Sequence, residues 1–579
     1  MCGIAGIAGK AGTLELVRQM TRLLAHRGPD GEGTFTSPGI ALGHRRLAIL
    51  DLSPAGDQPM TSRDGRFTIV LNGEIFNYLE LKAQLGGAFR SSSDTEVLLE
   101  ACAEWGVDRA LNACVGMFAF ALWDHQRRTL TLARDRVGEK PLVYFWDGVV
   151  LGFASELKAL RPLHEGHLDP ASVDAYFALG YVPAPLAIFR DTRKLPAGHL
   201  LEVHEGDVRE RRWWFPECAR GAEPSARLSD KDARHHQLRS LVSDSVRLRL
   251  RSDVPVALCL SGGVDSSVIA AECAHQGAKL DAFTVALDGD TSDLPWATKV
   301  ARHLGLHHEV IEARSRDVAR QMEDCWDCFD EPFADSSALP SLTLAQTLGG
   351  HYKVVLTGDG GDEAFAGYRH YEHIAAKQFV KAAAAGAGLL EGEGRVGVYV
   401  QSKATFALGE RARLMDAHAP GNTLSQLLSS DEYLQQAPEG ALKQALWSDR
   451  HLYLANDLTY KTDMALSSCG VEARAPFLDH RLLEWSQHLN NRDLVRGRKK
   501  KVILKEAYRA DLPSDIFDRP KHGFGAPVSA WLEGPLRDTL NASLPCPMLD
   551  ADSQKHLSGQ KLWTLLAFAR WTDRWGASW

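Results

Sequence analysis

Several things are scarce in this 579-residue chain, and each scarcity closes off a class of function. Ten cysteines, scattered without regular spacing, do not form the framework of a disulfide-stapled secreted domain. Cys325 and Cys328 make one C-x-x-C, which admits a redox pair or half of a zinc site. No second Cys or His pair stands at zinc-ligand spacing, so buried free thiols are the better account. Basic residues are not in excess. The 66 Lys and Arg against 74 Asp and Glu leave a net charge of −8, which disfavours nucleic acid as a partner. Long apolar runs are missing too, the most apolar one, Val380–Leu390, being too short and too rich in Ala and Gly to span a bilayer. Met-Cys-Gly-Ile-Ala-Gly-Ile at the N-terminus has no basic leader and no A-x-A-like cleavage site. It does not read as a signal peptide, and a reducing cytoplasmic compartment without membrane attachment is expected.

What is present is ordinary globular composition, 45% hydrophobic and 24% charged, in a chain too long for one core, since single cores stop growing near ~250–300 residues. Residues 1 to about 160 are dense in short β-like runs, clearest at Gly39–Asp51, Phe67–Leu71, Met117–Trp123, Thr129–Arg134 and Leu142–Phe145. Helical spacing interrupts them at Thr13–Ala25 and Asp94–Trp105, which predicts stacked antiparallel sheets covered by helices. From about residue 161 Pro and Gly loosen the pattern into a connector, and we place the domain boundary near 200. Beyond it, strand-length runs at Val254–Leu260, Asp281–Leu287 and Lys353–Thr357 alternate with helix-length segments, the rhythm of a parallel α/β sheet. The rest, to Trp579, is mostly helical in pattern.

Cys2 follows the initiator Met, and small second residues are those from which that Met is usually removed. Removal leaves a thiol and an α-amine on one residue, a nucleophile with its own general base, because such an amine titrates near ~7.7–8. Read alone, a Cys at position 2 is incidental, and Asn72-Gly73 is a hairpin turn. Yet Cys2-Gly-Ile-Ala-Gly, Arg27-Gly-Pro-Asp-Gly31, Gly43-His-Arg-Arg-Leu-Ala-Ile-Leu-Asp51, Leu71-Asn-Gly-Glu-Ile-Phe-Asn-Tyr78 and Ser92-Ser-Asp-Thr-Glu96 occur in this order. Together they resemble the glutaminase domain of class II amidotransferases, which are N-terminal nucleophile hydrolases with a four-layer αββα fold of the α+β class. The resemblance implies that Cys2 attacks the glutamine amide to give a thioester, and that Asn72 and the Gly73 N–H hold the oxyanion. It further implies that Arg46 pairs with the glutamine α-carboxylate, while Glu74 and Asp94 bind its ammonium. Arg27 is given no chemical step.

The run Val254–Leu260 leads into Ser261-Gly-Gly-Val-Asp-Ser-Ser267, a Gly-rich turn that opens a helix and offers backbone N–H groups to an anion. The G-x-x-x-x-G-K-S/T loop is absent. A second strand ends in Thr357-Gly-Asp-Gly-Gly-Asp-Glu363, whose acidic residues would elsewhere be a solvated turn. These segments resemble the pyrophosphate loop of the ATP pyrophosphatases. Residues 235–535 as a whole are similar to the synthetase domain of glutamine-hydrolysing asparagine synthetases, an α/β domain with a helical C-terminal region. The resemblance implies ATP and Mg²⁺ as cofactors, with Leu260, Ser261, Gly263, Asp265, Ser266, Val285, Thr357 and Gly358 on ATP, and Asp265 and Asp362 on the metal. Lys501 is expected at the phosphates, with Lys499 and Lys500 as alternatives in the same basic run; Arg519–Gly525 and Leu562–Trp575 also fit the family.

The acceptor side is expected to comprise Asp330, Glu331, Asp335, Ser336 and Asp359. Here Asp330-Glu-Pro-Phe-Ala-Asp-Ser-Ser-Ala-Leu-Pro340 departs from the pattern of the aspartate-using enzymes and resembles a bacterial subgroup often found in surface-polysaccharide pathways. The implied reaction is glutamine-dependent, ATP-consuming amidation of a small carboxylate through an acyl-adenylate, in the simplest case aspartate to asparagine. A uronic acid is the alternative acceptor, and a catalytically silent regulatory protein is the rival from another class. A homodimer is one assembly compatible with the family.

Overall fold

The computed structural model describes residues 1–9, 13–216, 230–287, 293–313, 317–375, 394–415, 418, 423–519, 526–543, 557 and 559–579. The apolar run 380–390 and the motif residues 520–525 lie outside the described residues. Two antiparallel six-stranded sheets form the first unit. One has the order β10-β8-β9-β1-β3-β2, with β1 Gly3–Ala8, β2 Gly31–Ser37, β3 Ile40–Arg46, β8 Val143–Trp146, β9 Leu151–Ala154 and β10 Thr192–Lys194. The other has the order β12-β11-β7-β6-β5-β4, with β4 Met60–Thr61, β5 Phe67–Ile75, β6 Gly116–Asp124, β7 Thr129–Arg134, β11 His199–His204 and β12 Asp207–Arg212.

Period-2 alternation gives each strand two faces, and in β1, β3, β5, β6 and β7 both are buried. Ile4 of β1, Leu42 of β3, Val70 of β5 and Ala119, Ala121 and Trp123 of β6 meet between the sheets. Ala5, Ile7 and Ala41 turn instead to the helix Thr13–Arg22, while Ile69, Leu71, Phe118, Phe120 and Leu122 turn to the helix Asp94–Trp105. Burial of each large side chain contributes roughly 1.5–3 kcal/mol. The layers are therefore helix, sheet, sheet, helix. Strands β11 and β12 complete the second sheet, so the first unit extends past residue 200 to Arg212. The connector expected from about residue 161 contributes β10, β11 and β12 and a helix, Pro170–Leu179, that starts at an Asp169 cap and stops at left-handed Gly180.

The second unit is a parallel sheet of order β15-β14-β13-β16-β17, with β13 Val256–Cys259, β14 Asp281–Leu287, β15 His307–Ala313, β16 Val354–Leu356 and β17 Glu472–Arg474. Helices cover both faces: Val256 and Leu258 pack with helices Lys231–Arg249 and Val264–His275, while Ala257 and Val355 pack with Ala338–Leu348 and Thr459–Ser467. Strand order reverses between β13 and β16, so the loops that leave their carboxyl ends part and open a crevice between them.

Buried charge joins the units. Arg27, 0% exposed, donates through Nη1 to Glu156 at 2.6 Å and through Nη2 to Asp463 of the second unit at 2.7 Å. The same guanidinium reaches Ser467 Oγ at 3.0 Å and the Cys2 carbonyl at 3.0 Å. Removing one partner of such a pair strands the others in a low-dielectric interior. Arg27→Ala is expected to lose about 3–5 kcal/mol of stability in chemical denaturation. Arg45→Ala, which breaks a pair with the exposed Glu32, should lose less than about 1 kcal/mol.

Candidate active sites

Antiparallel pairing sets Gly3 opposite Arg45, which brings Cys2 beside Arg46 at the end of the inter-sheet cleft. Parity then assembles the site. Cys2 shares the face of Ile4, Arg46 that of Leu42, and Asn72 and Glu74 that of Val70, all directed between the sheets. His44, on the same face, reaches from β3 to the Leu71 carbonyl of β5 at 3.2 Å; burial pushes its pKa down to about 3 and keeps it neutral.

Asn72-Gly73 is not a hairpin turn. Both residues lie inside β5, paired with Ala119 and Phe118 of β6. Gly73 has φ +143°, and a Cβ there would stand 2.1 Å from the Met117 carbonyl oxygen, so only glycine fits. Phe118 spends its backbone on the opposite side, its N–H donating to Asp135 Oδ2 at 3.3 Å and its carbonyl accepting from the Asp135 N–H at 2.8 Å. The Gly73 N–H therefore points away from β6. It faces the same way as the N–H groups of Leu71 and Ile75, which donate to Gln58 Oε1 at 2.6 Å and to Asp94 Oδ2 at 2.8 Å. The Asn72 side chain is wholly buried, and neither its Oδ1 nor its Nδ2 has a hydrogen-bond partner. An unsatisfied buried amide costs about 1–3 kcal/mol per group, which a bound oxyanion would offset.

Burial raises the Cys2 thiol, and the nearby terminal ammonium partly opposes that shift. Its Sγ faces the Leu47 carbonyl at 3.9 Å. Burial also lowers the Met1 amine at this end of the cleft to about 5. Arg46 is held by its own loop, donating to the Ser53 carbonyl at 2.8 Å, to Asp57 Oδ1 at 2.7 Å and to the Asp51 carbonyl. Glu74 is pushed well above the ordinary carboxylate range by burial and by Asp94, against the pull of Arg474, whose Nη2 lies 3.1 Å from Glu74 Oε2. Arg474 comes from β17 of the other unit, and nothing in the sequence pattern marked it as part of this site.

The crevice at the switch point is a cavity of about 440 Å³. Ser261, Gly263, Asp265, Ser266, Thr357, Gly358, Asp359, Asp362, Asp335 and Lys501 all line it. Gly262 has φ +65°, and a Cβ there would meet the Ala297 nitrogen at 2.3 Å, which fixes glycine in the loop. Ser261 Oγ and Ser266 Oγ, 3.0 Å apart, hold the loop closed on itself above the N-terminus of helix Val264–His275. Lys501 Nζ contacts Asp265 and lies 2.5 Å from Asp362 Oδ1. Burial alone would lower its pKa, but the two carboxylates outweigh it and hold the ammonium above the usual lysine range. Lys500 also lines the cavity; Lys499 does not.

Other expected residues fall elsewhere. Leu260 and Val285 are core side chains of the sheet and do not line the cavity. Asp330 and Glu331 turn to the first unit: Asp330 pairs with Lys158 at 3.1 Å, and Glu331 pairs with Lys194 and accepts from the Ile188 N–H at 2.8 Å. They thus belong to the interface between the units and not to the acceptor end of the cavity, because the chain bends between Glu331 and Asp335. Ser336 does not line the cavity, whereas Ser337 and Ser341 do. Lys461 had no pattern to single it out, whereas Arg519 opens a segment that fits the family. Lys461 Nζ binds Asp335 Oδ2 at 2.8 Å and Ser337 Oγ at 2.6 Å, and Arg519 donates to the Gly262 carbonyl at 2.8 Å. The C-x-x-C thiols of Cys325 and Cys328 are buried and pushed up by that burial; among the described residues no His, Cys, Asp and Glu group suits a metal by itself.

Burial is the main cause that raises Asp94 to about 6, above the usual 3.8. The folded protein therefore binds the Asp94 proton more tightly than the unfolded chain does, and stability falls as pH rises from about 4 to about 6. Asp94→Asn is expected to raise the denaturation midpoint at pH 7, by of order 3 kcal/mol at most for a shift of about two units. The gain should vanish below pH 4, and a pH series of melting curves for both proteins measures it.

Known proteins place these two sites in one lineage. Residues 1–214 match a glutamine amidotransferase domain and residues 237–573 an asparagine synthase domain. The chain is 27% identical to glutamine-hydrolysing asparagine synthetase 1 of Bacillus subtilis (strain 168), over 99% of this chain and 96% of that protein. It is 29% identical to asparagine synthetase B of Escherichia coli (strain K12), over 92% and 84%. With a glutamine amidotransferase domain joined to an asparagine synthase domain, and both halves matched along nearly the whole length, the chain belongs to the asparagine synthase family.

Proposed function

We propose that the chain transfers the amide nitrogen of glutamine to a carboxylate that it first activates with ATP, releasing AMP and pyrophosphate. The observation that carries this reading is the buried Asn72 amide, unsatisfied at both polar atoms, on the same face as Cys2. Cys2 attacks the glutamine amide and its proton passes to the free amine of the same residue once Met1 is removed. Asn72 Nδ2 and the Gly73 N–H donate to the oxyanion, the departing ammonia leaves a thioester, and water hydrolyses it to glutamate. Glu74 and Asp94 hold the substrate ammonium, which draws both back to the carboxylate form, and Arg46 holds the α-carboxylate.

In the other domain the Ser261–Ser266 loop and the helix N-terminus take pyrophosphate, and Thr357 and Gly358 line the nucleotide's place. Asp265 and Asp362 converge on one cation, the Lys501 ammonium, and two hard carboxylates with phosphate oxygens suit Mg²⁺. When bound, that ion supplies charge neutralisation on the phosphates. Lys501 then serves the α-phosphate as the acceptor carboxylate attacks it and pyrophosphate departs. Ammonia from Cys2 attacks the resulting acyl-adenylate and AMP leaves.

Aspartate is the first acceptor to test, as the relatives' names include asparagine synthetase. A second reading, another carboxylate such as a uronic acid, is favoured by the pairing of Lys461 with Asp335, which leaves the acceptor end poor in free positive charge. Purified protein given glutamine, ATP and aspartate should release pyrophosphate and asparagine; glutamate formation without aspartate-dependent pyrophosphate would eliminate aspartate. Cys2→Ala should abolish glutamine-dependent product while added ammonia restores it. Asn72→Ala should lower glutaminase kcat by about 10²–10³-fold. Lys501→Ala should abolish pyrophosphate release yet leave glutamate formation measurable, and Lys499→Ala should leave both activities in place.

A further inference from the structure

The switch-point cavity has a neighbour with which it shares two walls. Tyr368 and Tyr453 line it and also line a second chamber of about 350 Å³, whose walls include Tyr181, Lys403, Asp449 and Asp457. Asp449 is fully committed. It accepts from Tyr371 at 2.6 Å, Tyr399 at 2.7 Å, Lys403 at 2.7 Å and His370 at 3.2 Å. Asp457 is not: it is 6% exposed, and its buried Oδ1 receives no hydrogen bond from any protein donor. It also shares a hydrogen bond with Asp335, the residue that Lys461 grips at the acceptor end of the first cavity.

A buried carboxyl without a donor is destabilising and is relieved by a ligand that brings one. The walls specify the rest. Tyrosine faces cover the C–H surface of a ring, and their hydroxyls, with the carboxyls, meet ring hydroxyls. Aspartate is too short to occupy both chambers, and its α-carboxylate would need a cation. The two lysines at this end, Lys461 and Lys403, are already paired with Asp335 and Asp449.

We propose that the second chamber is an acceptor subsite: the acceptor is a carboxylic acid carried on a polyhydroxylated ring, with its carboxylate at the Asp335–Lys461 end and a ring hydroxyl donating to Asp457. This rests on the adenylation reading above. The test uses the full chain with ATP and Mg²⁺ and measures acceptor-dependent pyrophosphate release with glucuronate, galacturonate and aspartate. At least one hexuronate should show a KM tenfold or more below that of aspartate. Asp457→Leu should raise that KM at least tenfold, with the KM for ATP changed less than twofold. Val400→Phe, which narrows the chamber, should raise the hexuronate KM and leave the aspartate KM alone, and it carries the test if Asp457→Leu fails to fold by circular dichroism. Preference for aspartate, or a hexuronate KM indifferent to the variant that folds, would overturn the subsite while leaving adenylation in place. Pyrophosphate release with none of the three acids would instead remove the adenylation reading and the subsite with it.

Discussion

Arg474 is the residue on which both halves of the molecule lean. Its carbonyl accepts the Thr357 N–H at 3.0 Å and so anchors the start of the loop that lines the switch-point cavity. Its guanidinium lies between Glu472 at 2.8 Å and Glu74 at 3.1 Å, the latter in the cleft that holds Cys2. Two further donor contacts fix the fork, to the carbonyls of Arg251 at 2.6 Å and Arg249 at 3.0 Å. One side chain, from the last strand of the second unit's sheet, therefore pulls against the burial that raises Glu74. A displacement of β17 moves both ends at once, because a packed interior transmits strain and does not absorb it.

Around this link the interface carries buried ion pairs beside apolar clusters that run through both units. Arg27, Glu156 and Asp463 form its centre, and Lys158–Asp330 and Lys194–Glu331 extend it. Such pairs return little net stability after desolvation, but a mismatched arrangement leaves buried charge unpaired. Their effect is to define one relative placement of the two sites. On the proposed reaction that placement matters, since ammonia passing between the sites would be protonated by bulk water.

The sites themselves hold the groups that cost stability. Among the described residues Asn72 has no partner for either polar atom, Glu74 and Asp94 are buried carboxyls with raised pKa values, and Asp457 Oδ1 receives no hydrogen bond. Each is an unfavourable feature of the empty fold that a ligand would relieve, the usual sign that local rules of folding have yielded to function. By contrast, Asp449, with four donors around it, and His44, neutral and bonded, are satisfied and act as scaffold.

Much of this was legible in the residues alone. Alternating apolar residues gave the antiparallel sandwich, strand-helix rhythm gave the parallel sheet, and ordered motifs picked out Cys2, Asn72, Arg46, Ser261, Asp265 and Lys501, because short-range chemistry and periodicity are written in local sequence. Other features required the tertiary structure. Asn72-Gly73 looks like a turn until its pairing with Ala119 and Phe118 is known, since a two-residue motif does not encode its neighbours. Asp330 and Asp335 are five positions apart, yet one faces the interface and the other the nucleotide cavity, a division set by a bend in the chain. Arg474, Lys461 and Asp457 acquired their places only through contacts far away in sequence, and long-range packing, unlike period or propensity, leaves no local mark.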